Sequence, residues 1–203
     1  MTELTELDHK IIEAASQHFL HEGIRNTDMK QLAQELGISR STLYRHFGNS
    51  VQIAFYIVLD YLKLLTDDDP MLYRGMNGYE AVCLYVRRLV DRLCQNLPWL
   101  RVIREFDALY STEQHTFVPP EAYSQYISGD QDQPLVKLFL KGVADGSIRP
   151  QKDNTVAALT LTFTSLAMVE RIMLREQNYI QEHGAAREII DMAIELELSA
   201  IKK

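Results

Sequence analysis

The strongest constraint on this chain is a twenty-residue stretch, Asp28 to Phe47, in which two short amphipathic segments flank Gly37. Asp28 is a helix N-cap with Gln31 at the capping-box spacing, and Leu32, Ala33 and Leu36 give the first segment an apolar face. Gly37 stops that helix, because glycine enters the left-handed conformation without steric cost. Ser39 caps the next helix, whose buried side is Leu43 and Phe47 at i and i+4. Arg40, Ser41, Thr42, Tyr44, Arg45 and His46 then point mostly outward. Cations, hydroxyls and a phenol on the open face of a second short helix are the chemistry of a recognition helix in a DNA major groove. A helical hairpin with an ordinary solvated face is the alternative at this point.

The string Ile38-Ser39-Arg40-Ser41-Thr42-Leu43-Tyr44-Arg45-His46-Phe47 resembles the recognition-helix signature of the tetracycline-repressor (TetR) family of bacterial regulators. Ala14, Ala15, Phe19, Gly23, Thr27, Leu32, Ala33 and Gly37 stand at the family's spacing upstream, so the resemblance covers roughly the first fifty residues. It implies that Lys30 and Arg40 reach base edges, Arg40 through guanine O6 and N7. It implies that Thr42, Tyr44 and His46 meet phosphates, with Arg45 able to do either and Ser41 giving close approach or a hydroxyl contact. Two positions depart from the pattern: Ser50 stands where the family usually has a phosphate-contacting lysine, and Val51 where an acidic residue usually follows. Asn49 or Ser50 could still cap the next helix and turn backbone N–H groups toward a phosphate.

The charge distribution agrees. The chain carries a net −7, yet Gly23 to Phe47 holds Arg25, Lys30, Arg40 and Arg45 against only Asp28 and Glu35, a local +2 that leaves −9 elsewhere. A small basic patch on an acidic body suits a reader of particular sites better than a protein that coats nucleic acid generally.

The rest of the chain reads as helices, so the expected fold is all-α. A first helix from Leu7 to Glu22 packs over the hairpin, giving a DNA-binding head over residues 1–50. A linking helix runs from Val51 to Leu65, and a helical body occupies 66–203. Thr66 to Gly78 reads as a loop, followed by helices over Tyr79–Asn96, Trp99–Tyr110 and Pro134–Ala144. Ser111 to Gln133 is expected to be a loop with one short helix at 121–127. Asp153 caps a helix from Asn154 to Glu176, whose threonines would also suit a strand, and a last helix spans Ala185 to Ile201. The uncharged run Asn154–Val169 is 16 residues, shorter than a bilayer span requires. With an acidic N-terminus lacking an apolar core, it points to a cytoplasmic protein without membrane contact.

The resemblance implies a homodimer, because two half-sites need two recognition helices. The expected interface uses the last two helices, with Leu159, Phe163, Leu166, Ala167, Ile190 and Ile194 as candidates. It also implies a small-molecule effector that releases a repressor from its operator. Tyr85, Trp99, Phe106, Tyr110, Phe139 and Met168 are the candidate lining, with ordinary core as the alternative for each. Two arginine pairs, Arg88 with Arg92 and Arg101 with Arg104, could meet an anionic ligand or simply form salt-bridged faces. Regulation by a protein partner, or by oxidation of Cys83 and Cys94, is the alternative to a small ligand. The two cysteines lie too far apart on one helix to bridge.

No phosphate loop, GxSxG elbow or HExxH motif occurs, so no enzyme and no cofactor is expected. The histidines lack metal-ligand spacing, and no metal site is expected; His18 and His21 read as surface residues.

Overall fold

The computed structural model describes residues 4–66, 68–112 and 133–203. These residues form helices α1 (Glu6–Glu22), α2 (Met29–Glu35), α3 (Arg40–His46), α4 (Ser50–Thr66), α5 (Gly78–Gln95), α6 (Leu97–Thr112), α7 (Pro134–Ala144), α8 (Asn154–Met173), α9 (Glu176–His183) and α10 (Arg187–Ile201). Among the described residues the only extended pairing is a single bridge, Ile148 with Lys202. The fold is all-α, as the periodicity predicts. The short helix expected at 121–127 lies outside the described residues.

The elements group into two compact units. The first joins the chain up to Leu64 with α6 from Pro98 onward. Its core is Ile11, Ala15 and Phe19 from α1, Leu32 and Ala33 from α2, and Leu43 from α3, with Phe47, Ile53, Phe55 and Phe106. Each helix start is fixed locally. Thr5 and Asp8 form a reciprocal capping box on α1, Asp28 accepts from the Lys30 N–H, and Ser39 accepts from the Thr42 N–H. Asn49 accepts from the Gln52 N–H at 3.0 Å, and the Gln52 side chain accepts from the Gly48 N–H at 2.7 Å. The capping role expected at Asn49 or Ser50 therefore falls to Asn49.

The second unit joins Leu65–Leu97 with the C-terminal part of the chain. Here α5, α7 and α8 pack on one another, and α10 packs against α8 and α5. The α5–α7 crossing is made by two glycines. A Cβ on Gly78 would sit 2.1 Å from both the N and the Cα of Gly142. Asp145 accepts the Gly78 N–H at 2.7 Å and holds the crossing in register. The segment after α4 contains a 3₁₀ turn, Pro70–Tyr73, where only a loop was expected. The side chain of Asp68 next to it is almost fully buried, and its carboxylate accepts from Arg88, Arg92 and the Tyr73 hydroxyl. The Arg88–Arg92 pair thus closes on an internal carboxylate, the salt-bridged alternative of the two readings open for it in the sequence.

Two expectations about the C-terminal half change. The helix beginning at Asn154 ends at Met173 rather than Glu176, and a separate α9 follows up to Gly184, whose φ of +74° stops it. At 20 residues α8 is long and apolar enough to cross a membrane by length and composition, which the charge-free run alone concealed. It is nonetheless a packed helix: Ala158, Leu161, Ser165, Val169 and Ile172 are buried against its neighbours. Its threonines do not make a strand. Thr160 and Thr164 return their hydroxyls to the carbonyls four residues back, at 2.8 and 2.7 Å.

Candidate nucleic-acid interface

Seven residues, Arg40 to His46, make α3, and the burial pattern divides them cleanly. Leu43 is wholly buried and Phe47 nearly so, and the helix packs against α2. Arg40, Ser41, Tyr44 and Arg45 are exposed, and Thr42 is half-buried. The Ser39 hydroxyl, besides capping, lies 2.8 Å from both the Ser41 and Thr42 hydroxyls. These three hydroxyls form a small cluster at the helix N-terminus. Beside it α2 presents Lys30, also exposed, whose backbone N–H is bonded to Asp28 at 2.7 Å. The open side of the hairpin therefore carries three long cations, one phenol and a set of hydroxyls, all on elements positioned from behind by apolar packing.

His46 departs from its expected place. Its side chain is only 19% exposed, and Nδ1 lies 2.8 Å from the Asp8 carboxylate. The ring turns toward α1 because Asp8 offers it a charged acceptor there. Asp8 also takes the Thr5 N–H at 2.7 Å and the Thr5 hydroxyl at 2.6 Å. Burial pushes the Asp8 carboxyl up, but hydrogen bonds from Thr5 and His46 outweigh it and hold the carboxyl below its ordinary value. His46 is thus a positioning residue: it ties the end of α3 to the start of α1. Sequence reading missed this because the partner stands 38 positions away, although the pairing of a helix-end histidine with an N-terminal aspartate is chemically simple.

A second bracket locks α1 to α2. His18 Nδ1 meets Glu22 at 2.6 Å and Nε2 meets Glu35 at 2.8 Å, with the ring only 14% exposed. Carboxylates on both ring nitrogens require two N–H donors, the charged imidazolium. The bonds to Glu35 and Glu22 accordingly raise the His18 pKa. His18 is not the surface residue expected, whereas His21 is exposed. No cluster of three or more metal-ligating side chains exists among the described residues.

The aromatic candidates fall into two groups. Trp99, Phe106 and Tyr110 lie on α6 in the first unit, with Phe106 stacked on Tyr110 and Trp99 stacked on Tyr61. Tyr85, Phe139 and Met168 belong to the second unit, where Tyr85 and Phe139 are core residues. Phe106 is likewise fully buried in its own unit. Trp99 borders a cleft of about 460 Å³ with His9, Ile12, Ile57, Tyr61 and Leu64, and none of the other five candidates lines it.

The interface candidates also divide. Ile190 and Ile194 face the core of their own unit, which corrects their assignment to an outer surface. Helical geometry puts Met192 and Leu196 on the opposite side of α10, and both are exposed. On α8, Phe163 is 53% exposed and Ala167 is exposed, while Leu159 and Leu166 are half-buried.

Comparison with known proteins bears on this arrangement. Residues 11–55 match a family model described as bacterial regulatory proteins, tetR family. The HTH-type transcriptional regulator SAUSA300_2515 of Staphylococcus aureus (strain USA300) is 35% identical over 74 residues, 33% of this chain and 40% of that protein. The regulator SAB2452 of the bovine strain RF122 / ET3-1 is 43% identical over 49 residues, 24% of this chain and 26% of that protein. The chain therefore covers at most about 40% of the length of these curated relatives. Among solved structures, the fatty acid degradation regulator FadR from Bacillus halodurans aligns with a TM-score of 0.68 at 15% identity, covering 97% of each chain. A regulatory protein in the tetR family from Rhodococcus RHA1 aligns at 0.63 with 19% identity, covering 98% of each. At these identities the likeness is one of fold.

Proposed function

We propose that the chain is a member of the TetR family of bacterial regulatory proteins, whose family model its residues 11–55 match, and that it is a cytoplasmic, sequence-specific DNA-binding regulator acting as a homodimer. The observation that carries this reading is the divided α3: Leu43 and Phe47 held inside, with Arg40, Ser41, Tyr44 and Arg45 open to solvent. Arg40, in the first turn of α3, offers a planar fork for the O6 and N7 acceptors of guanine, a contact worth roughly 1–3 kcal/mol of base discrimination. Lys30 approaches the same groove from α2. Tyr44, Thr42 and Arg45 hold the phosphates and set register without reading sequence. Ser50 leaves one phosphate without its usual lysine, so the salt dependence of binding is shallower by about one counterion per subunit.

A dimer supplies the two half-sites. Its seat in this reading is the face carrying Phe163 and Val156 on α8 and Met192 and Leu196 on α10, all more than half exposed in one chain. The two helices are joined by the Thr164 hydroxyl and Glu197 at 2.9 Å. Repression by operator occupancy, relieved by a small-molecule effector that favours a different spacing of the two heads, completes the reading. Two relatives in fold are named as regulators of fatty acid degradation and of ketosteroids, and an apolar small molecule is the effector class proposed here. The cysteine alternative loses support: burial raises the Cys83 and Cys94 thiols, which keeps the reactive thiolate scarce.

The test is fluorescence anisotropy of the full chain on the DNA upstream of its own gene, with random duplex as competitor and salt varied. Competitor-resistant binding of two chains per site supports the proposal. Binding equal to that of random DNA at every salt concentration, repeated on a genomic pool of fragments, overturns it.

A further inference from the structure

The first unit holds a second cationic site that DNA reading does not use. Arg25, in the turn after α1, and Arg101 and Arg104, one turn of α6, line a surface cleft of about 480 Å³ with Glu105 and Ala108. All three arginines are exposed, and among the described residues none of their guanidinium groups has a carboxylate, carbonyl or aromatic partner. Elsewhere this acidic chain satisfies its arginines readily: Arg88 and Arg92 close on Asp68, and Arg187 closes on Asp91 and Asp191.

The one carboxylate in the cleft is already committed. Glu105 accepts the Ile24 N–H and the Arg25 N–H, both at 2.9 Å, one on each oxygen. Gly23 permits this approach. Its φ is +85°, and a Cβ there would lie 2.7 Å from the Glu105 carboxylate. The carboxylate is thus held by the backbone of the turn, and three guanidinium forks remain around it.

We propose that the Arg25–Arg101–Arg104 cleft binds a small polyanion carrying two or more phosphoryl groups. Three converging cations call for at least two compact negative charges, and the guanidinium fork matches phosphoryl oxygens bidentately. The cleft volume lies within the range of small-ligand sites. The site is separate from the reading face. His46 joins α1 at Asp8, whereas Arg25 follows the far end of that helix, roughly 20 Å away at 1.5 Å per residue. An occupant would rest on the turn that Glu105 holds, immediately before α2, so binding has a direct route to the hairpin. This inference stands independently of the operator and of any apolar effector.

Inorganic pyrophosphate titrated into the full-length protein, with ionic strength held constant by sodium chloride, tests it by calorimetry and thermal melting. The expected result is saturable binding and a raised Tm. The Arg101→Ala/Arg104→Ala variant should bind at least about tenfold more weakly, the factor for losing one charge-assisted hydrogen bond. Arg40→Ala/Arg45→Ala should bind as the parent does. Since all five side chains are exposed, circular dichroism should show unchanged helix content in both variants, and Arg25→Ala gives an independent third arm. No saturable binding above the sodium chloride control overturns the proposal. So does binding that survives loss of Arg101 and Arg104, or that disappears with Arg40 and Arg45, which would place the anion on the DNA-reading face.

Discussion

Replacing Asp8 by alanine should loosen α3, whose last residue, His46, it holds. The carboxylate accepts three hydrogen bonds, from the Thr5 N–H, the Thr5 hydroxyl and His46. The Thr5 donors sit near solvent and rehydrate, so their loss amounts to a missing helix cap, about 1 kcal/mol. His46 is mostly buried and loses a bond to a charged acceptor, about 1.5–3 kcal/mol at full burial, toward the low end here. We expect Asp8→Ala to cost about 2–3 kcal/mol in urea denaturation at pH 7 with the m-value unchanged. The pH dependence follows from the lowered Asp8 carboxyl. Its contribution is fully present above the unfolded value near about 3.9 and disappears as pH falls through the still lower folded value. The gap between parent and variant should therefore hold down to about pH 4 and close only below it. A loss under about 0.5 kcal/mol, the range of an ordinary surface change, would refute a holding role for the Asp8–His46 contact. So would a gap that closes between pH 8 and pH 5.

Three further outcomes are expected. His18→Gln should destabilise more at pH 6 than at pH 9. A raised histidine stabilises fully below about 6.5 and loses that contribution as pH rises through its folded value, so a pH-independent ΔΔG in urea melts would contradict the double-carboxylate bracket. Gly78→Ala should cost at least about 3 kcal/mol, because the new methyl meets the Gly142 backbone rather than a movable side chain, and a thermal melt within 1 kcal/mol of the parent, about an ordinary substitution, would show that the crossing can open. Phe163→Glu should shift sedimentation velocity from dimer toward monomer with the helix content kept, and an unchanged dimer would move the interface off the exposed face of α8.

Local signals carried much of this. Asp28, Ser39 and Asp153 each cap the helix that follows them, and their type and spacing are visible in the sequence, whereas the Thr5 and Asn77 caps come from the structure alone. The division of α3 is also legible, since Leu43 and Phe47 at i and i+4 leave only one side for Arg40, Tyr44 and Arg45. What escaped were contacts between distant positions. Nothing near His46 announces Asp8, nothing near Arg88 announces Asp68, and Glu105 reaches Ile24 and Arg25 across about eighty residues. The C-terminal helices mislead for another reason. On α8 and α10 apolar residues occupy two faces, so periodicity marks Ile190 and Phe163 alike, and only packing separates the core position from the exposed one.

The most direct test of the central claim is selection of bound sequences from a random duplex library by the parent and by Arg40→Ala. If the exposed face of α3 reads bases, the parent should enrich a two-fold symmetric site. The variant should lose preference at one symmetric pair of positions, by about 5- to 150-fold for a contact of 1–3 kcal/mol. The same enriched sequence from both proteins, at the same strength, would contradict it.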